Sequence, residues 1–147
     1  MPADLADQSE PEALPPALVA ARALRLADEG CPVPWASTFL IVRTENHRIV
    51  GSCGFKGSPS NGRVEIGYGV SPACRREGAA TSAVAQLLTM AFAAGATEVM
   101  AEILPENQAS ATVAHRSGLR SMGIHPDREG VHVVRWIASV NESGEPK

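Results

Sequence analysis

The chain has 147 residues, 44% of them hydrophobic and 20% charged, with a formal net charge of -3 at neutral pH. One domain of this length buries roughly 68% of its unfolded surface, and the composition is that of a globular protein, which excludes wholesale disorder. The slightly acidic balance offers no basic excess for a nucleic-acid backbone, and no apolar run is longer than a few residues, such as Phe39-Leu40-Ile41-Val42, so none spans a bilayer.

Residues 1–14 are rich in Pro, Ala, Asp and Glu and read as a mobile acidic leader. Met1-Pro2-Ala3-Asp4 has no basic stretch followed by an apolar one, so no signal peptide is read there. The cysteines Cys31, Cys53 and Cys74 lack C-x-x-C spacing, which argues against a disulfide framework or zinc knuckle and for a reducing, cytoplasmic setting. Pro15-Pro16 opens a helix, since proline at the first helical position forfeits no hydrogen bond, and Gly30 ends it. Pro32 and Pro34 then enforce an extended connector.

Thr38 to Arg43 is apolar and β-branched, Glu45-Asn46-His47 supplies a turn, and Arg48 to Phe55 follows as a second strand. Arg63 to Val70 is a third strand ended by Ser71-Pro72, completing an antiparallel meander. From Gly78 the period is helical, with Val84, Leu87, Leu88, Ala91 and Phe92 on one stripe and Gly95 as the stop. Thr97 to Leu104 is a strand. Gln108 to Arg116 is a second amphipathic helix, expected to bury Val113 and to end at Gly118. A last hairpin, Arg120 to Ile124 and Val131 to Ala138, turns through 126–130. Residues 15–140 form one expected domain and 141–147 a polar tail. The fold class is α/β of the α+β type, a mixed and mostly antiparallel sheet flanked by helices.

The segment most suggestive of chemistry is Ser71-Pro72-Ala73-Cys74-Arg75-Arg76-Glu77-Gly78-Ala79-Ala80-Thr81. A strand ends, two arginines appear, and very small residues open a helix. Helix N-terminal amides point outward and favour negative charge, and small side chains let a phosphate approach them. An ordinary glycine turn with a surface arginine pair has the same local pattern. It is neither a Walker loop nor G-x-G-x-x-G.

Glu65-Ile66-Gly67-Tyr68-Gly69-Val70-Ser71-Pro72 followed by Arg75-x-x-Gly78-x-Ala80-Thr81 resembles the acyl-CoA-binding signature of the GNAT superfamily of N-acetyltransferases. Pro105-Glu106-Asn107-Gln108-Ala109-Ser110 and then Ser117-Gly118-Leu119 resemble the family's second motif. The serine version is similar to the branch that acetylates the N-terminal amines (alanine or serine) of ribosomal proteins. The resemblance implies a sheet splayed at the cofactor site and acetyl-CoA as cosubstrate. Gly78, Ala79, Ala80 and Thr81 would hold the pyrophosphate with Arg75 and Arg76 nearby, while Val70 and Asn107 would bind the pantetheine arm. It departs from the family at Glu77, where a basic residue is frequent, at Ala114, where many relatives have Tyr, and at Leu119, where Phe is usual. The segment ahead of the first hairpin is also short.

Two residues are catalytic candidates. Ser110 would protonate the leaving thiolate, or else bond its own helical turn. Glu65 would take a proton from the amine, or else pair with a basic residue across the sheet. Glu102 is the alternative base, and Glu98 and Glu102 together also read as a solvated face. Cys74 belongs to no recognisable nucleophile constellation. His47, His115, His125 and His132 show no ligand spacing, so no metal is expected. Tyr68 and Trp136 read as packing residues. The expected activity is acetyl transfer to a primary amine of a small molecule or protein N-terminus, with no nucleic-acid or membrane partner and a homodimer left open. The alternatives are a non-catalytic acyl-CoA-binding module and a plain interaction domain.

Overall fold

Side chains alternate between the two faces of a strand, so residues directly opposite in a ladder share a face. In the computed structural model, residue 30 and residues 35–43, 46–71 and 78–140 are described. The expected leader, the helix from Pro15, the connector prolines, the Arg75 and Arg76 positions and the tail lie outside them.

Six strands and two helices follow in the expected order: β1 (Thr38–Val42), β2 (Ile49–Phe55), β3 (Arg63–Val70), α1 (Ala79–Ala93), β4 (Glu98–Ile103), α2 (Gln108–Arg116), β5 (Arg120–Pro126) and β6 (His132–Ser139). They form one open sheet in the order β1-β2-β3-β4-β6-β5. Every neighbouring pair is antiparallel except β3–β4, which the α1 crossover makes parallel. Among the described residues no helix is long and apolar enough to cross a membrane.

The registers sort the sheet into two unlike faces. Cys53 opposes Tyr68, Phe55 opposes Ile66, Val64 opposes Val99, and Val99 opposes Ala138. These residues look toward the helices and share the core with Val84, Leu87, Leu88 and Ala91 of α1. Trp35 packs edge-on against Phe55, ring centroids 4.9 Å apart. The opposite face carries Arg63, Glu65, Glu98, Glu102 and Arg135.

Three expectations are corrected. In α2 the buried residue is Ala114, not Val113, which is half-buried; the helix phase is set by its packing against α1, β4 and β5, and an alanine methyl fits closest. Glu98 and Glu102 are not a solvated face. Each is paired across the sheet, Glu98 with Arg63 at 2.5 Å and Glu102 with Arg135 at 3.2 Å, and the Glu102 side chain is only 14% exposed. The final hairpin runs longer, because Asp127 Oδ1 accepts the N–H groups of Glu129 and Val131 and so builds the turn beyond Pro126.

β1 and β2 slip register between Ile41 and Val42, which bulges β2. There β2 lies so close to β3 that a Cβ on Gly51 would collide with the Gly69 carbonyl oxygen and sit 3.0 Å from Val70 Cα. Glycine is the residue that fits.

Candidate functional site

The parallel ladder between β3 and β4 is short. It holds at Arg63↔Glu98, Val64↔Val99 and Glu65↔Met100, then stops. Beyond it β3 follows β2 to Val70 while β4 follows β6 to Ile103. The expected splay is therefore present. Glu65 accepts the Lys56 N–H at 2.8 Å and Ser71 donates to the Val50 carbonyl at 2.7 Å. Odd-numbered residues of β3 thus face β2, and alternation turns the backbone N–H and C=O groups of Tyr68 and Val70 toward the gap that β4 has left.

Both helices begin at this open end, since α1 follows β3 and α2 follows β4. α1 starts at Gly78, whose φ of 82° suits glycine, and no side chain among the described residues caps it. The Gly78 carbonyl accepts the Ser82 N–H at 3.0 Å, whereas the N–H groups of Ala79, Ala80 and Thr81 precede the first helical acceptor. Among the described residues nothing lies within 4 Å of a Cβ built on Gly78, so the amides that open α1 stand uncapped by them beside open space.

α2 is capped differently. Asn107 Oδ1 accepts the Ser110 N–H at 3.1 Å, which leaves the Asn107 amide nitrogen uncommitted to the cap. Tyr68 Oη donates to the Ser110 carbonyl at 2.7 Å. At the other end of α2, Ser117 Oγ lies 2.7 Å from the Val113 carbonyl and 3.3 Å from that of Thr81, which ties α2 to the first turn of α1.

Among the described sequence-predicted residues, Val70, Gly78, Ala79, Ala80, Thr81, Asn107 and Ser110 are thus brought to one end of the sheet. Arg75 and Arg76 lie outside the described residues. Glu65 stands apart, on the last paired rung and on the face away from the helices, where its carboxylate meets Lys56 Nζ at 2.8 Å. The gap joins the two faces, so groups from both border whatever lies within it. Cys53 is buried, which pushes its thiol up from 9.0 to about 11 and makes it a poor nucleophile. A cavity of about 540 Å³ opens between β1 and α1, lined by Phe39, Ile41, Ala83, Leu87 and Met90 and bounded at one end by Gly78.

Sequence reasoning missed Lys56 and the bonds made by the hydroxyls of Ser117 and Tyr68. Lys56 was recoverable from the hairpin, because fixing Gly54 opposite Gly67 places Lys56 beside Glu65. The other two bonds join segments 36 and 42 residues apart and leave no local mark.

The N-acetyltransferase p20 of Bacillus licheniformis, itself uncharacterised, is 30% identical over 96 residues, 64% of this chain and 54% of that protein. The chain spans a third to about half the length of the curated relatives it matches. A provisionally named ribosomal-protein-serine acetyltransferase from Vibrio cholerae superposes with a TM-score of 0.70 at 18% identity, over 83% of this chain and 71% of that one. yncA from Salmonella typhimurium, a provisionally assigned acetyltransferase with its cofactor acetyl-CoA, gives 0.57 at 22% identity, over 66% and 61%. At these identities the likeness shows the fold. The family model for the acetyltransferase (GNAT) domain matches residues 9–120, and the chain belongs to that family.

Proposed function

We propose that the protein transfers an acetyl group from acetyl-CoA to a primary amine held in the same ternary complex. The observation that carries this reading is the gap between β3 and β4, with free strand amides along it and the uncapped start of α1 at its mouth. The amides of Gly78, Ala79, Ala80 and Thr81 suit a pyrophosphate, and Arg75 and Arg76 add charge. An extended pantetheine arm would pair with β3 as a missing strand does, at Tyr68 and Val70, and Asn107 would meet it from α2. The acetyl-CoA complex of yncA, a neighbour in fold, supports this choice of cosubstrate.

The neutral amine attacks the thioester carbonyl, and the backbone N–H near Val70 stabilises the developing oxyanion. Collapse breaks the C–S bond, Ser110 passes a proton to the thiolate and regains one from solvent, and Glu65 takes the ammonium proton directly or through water. Most of the acceleration comes from holding two substrates together. The acceptor is a small-molecule amine or a protein N-terminus, the second supported by the fold of the Vibrio cholerae neighbour.

A second reading, a non-catalytic acyl-CoA-binding module, draws on two observations. Position 114 is a fully buried alanine where many relatives place tyrosine, and Glu65 and Glu102 are each engaged by a cation. An acceptor screen reporting free thiol from acetyl-CoA decides between them. Turnover with any amine establishes the enzyme, whereas tight acetyl-CoA binding without thiol release from any amine establishes the module.

A further inference from the structure

Past the last rung of the β3–β4 ladder, a side-chain hydrogen bond still joins β3 to α2, which follows β4. Tyr68 lies three residues beyond Glu65, its ring packs on the core cluster that contains Ala114, and its hydroxyl donates to the Ser110 carbonyl at 2.7 Å. The Ser110 N–H is held in turn by Asn107 Oδ1. A carbonyl has two lone pairs, so Ser110 accepts Tyr68 without giving up its place in the helix. Burial raises the phenol well above its ordinary 10.0, which keeps it a neutral donor at physiological pH.

We infer that Tyr68 is a positioning residue whose hydroxyl fixes the first turn of α2 against the open end of β3 and so sets the width of the gap that admits acetyl-CoA. The inference rests on the reading above. A ligand bridging both sides gains from each only where their separation is held in advance, because loose walls must be ordered at the moment of binding. A phenol at the helix-facing edge ties the walls together while leaving the backbone groups of Tyr68 and Val70 turned into the gap.

The test is Tyr68→Phe in the full chain, which keeps the packing ring and removes the donor. Acetyl-CoA should bind about five- to tenfold more weakly by calorimetry, KM for acetyl-CoA should rise in step with kcat within about threefold of wild type, and Tm should fall by no more than about 2–4 °C. Without ligand, amide exchange at Ala111–Ala114 should quicken while that of β6 stays unchanged. Restoring a donor with 4-aminophenylalanine at 68 should recover the affinity. Unchanged affinity, or unchanged exchange, overturns the inference. A loss of about a hundredfold in kcat at constant affinity also overturns it and makes Tyr68 the proton donor itself. Should the Phe variant not fold, 3-fluorotyrosine labels this site alone, since the chain has one tyrosine. Its fluorine resonance must then move on acetyl-CoA addition, and a static resonance overturns the inference. If wild type binds no acetyl-CoA, the proposed function fails by itself, and the exchange measurement still decides the role of Tyr68.

Discussion

The Glu65 carboxylate sits 2.8 Å from the Lys56 ammonium, on the last rung before β3 and β4 part. If Glu65 accepts the amine proton, Glu65→Gln lowers kcat by about 10²-fold near neutral pH and leaves acetyl-CoA affinity intact. The deficit shrinks at high pH, where more of the amine is already neutral. An equal deficit at every pH assigns Glu65 to the Lys56 pair alone and passes the base role to Glu102. The pair itself is partly exposed, so Lys56→Ala should change stability by less than about 1 kcal/mol.

Gly78→Val places a β-branched residue at φ 82°, which costs about 1–3 kcal/mol, and fills the open space before the uncapped amides of α1. The variant should fold by circular dichroism and fail to bind acetyl-CoA by calorimetry. Retained affinity in the folded variant refutes phosphate binding at this turn.

Ser110→Ala should lower kcat about tenfold to a hundredfold with acetyl-CoA affinity nearly unchanged. A CoA thiol has a pKa near that of a free cysteine, roughly 8.5, so its thiolate already leaves fairly well and a proton adds modestly. If Tm drops by several degrees while turnover persists, Ser110 serves the helix start only.

Asn107 has two separable duties. Asn107→Asp keeps an N-cap oxygen for Ser110 and removes the amide donor, so Tm should hold while acetyl-CoA affinity falls. Asn107→Ala loses the cap as well, at a cost of about 1 kcal/mol and a Tm lower by about 2–4 °C. Equal binding by the Asp variant removes Asn107 from the cosubstrate site.

Alkaline pH should destabilise the fold. The Cys53 thiol rises on folding from 9.0 to about 11, and the Tyr68 phenol also rises. The unfolded chain therefore loses these protons first. Their contribution is complete below about pH 9 and is lost as pH climbs through the folded values, at roughly 1.4 kcal/mol per pH unit per group. Denaturation at pH 8 and pH 10.5 should show the decline, and Cys53→Val should flatten it.

Element boundaries were most readable where the chain carries its own punctuation. β3 runs from Arg63 to Val70 as read, between a glycine turn and Ser71-Pro72, and α2 from Gln108 to Arg116, between its Asn107 cap and Gly118. Partners across the sheet were not readable. Alternation gives the face of Glu98 and Glu102, but their arginines come from strands 35 and 33 residues away, and strand order has no local signal. Ala114 was passed over for a similar reason, since a small side chain contributes little to a periodic pattern yet fits where packing is tightest.

Among the described residues the backbone seam between the β1–β3 meander and the β4–β6 half is short: three parallel rungs, preceded by the Thr97 and Glu98 N–H groups on the Gly62 carbonyl. The side-chain core runs through both halves, so this seam is the place where backbone pairing, not packing, is thinnest. If acetyl-CoA lies along both lips of the gap as proposed, it would pair there as a seventh strand does. Without it, unfolding should begin at the seam and broaden the calorimetric transition. With it at a hundred times Kd, mass action adds about 2.7 kcal/mol, and the two halves should melt as one.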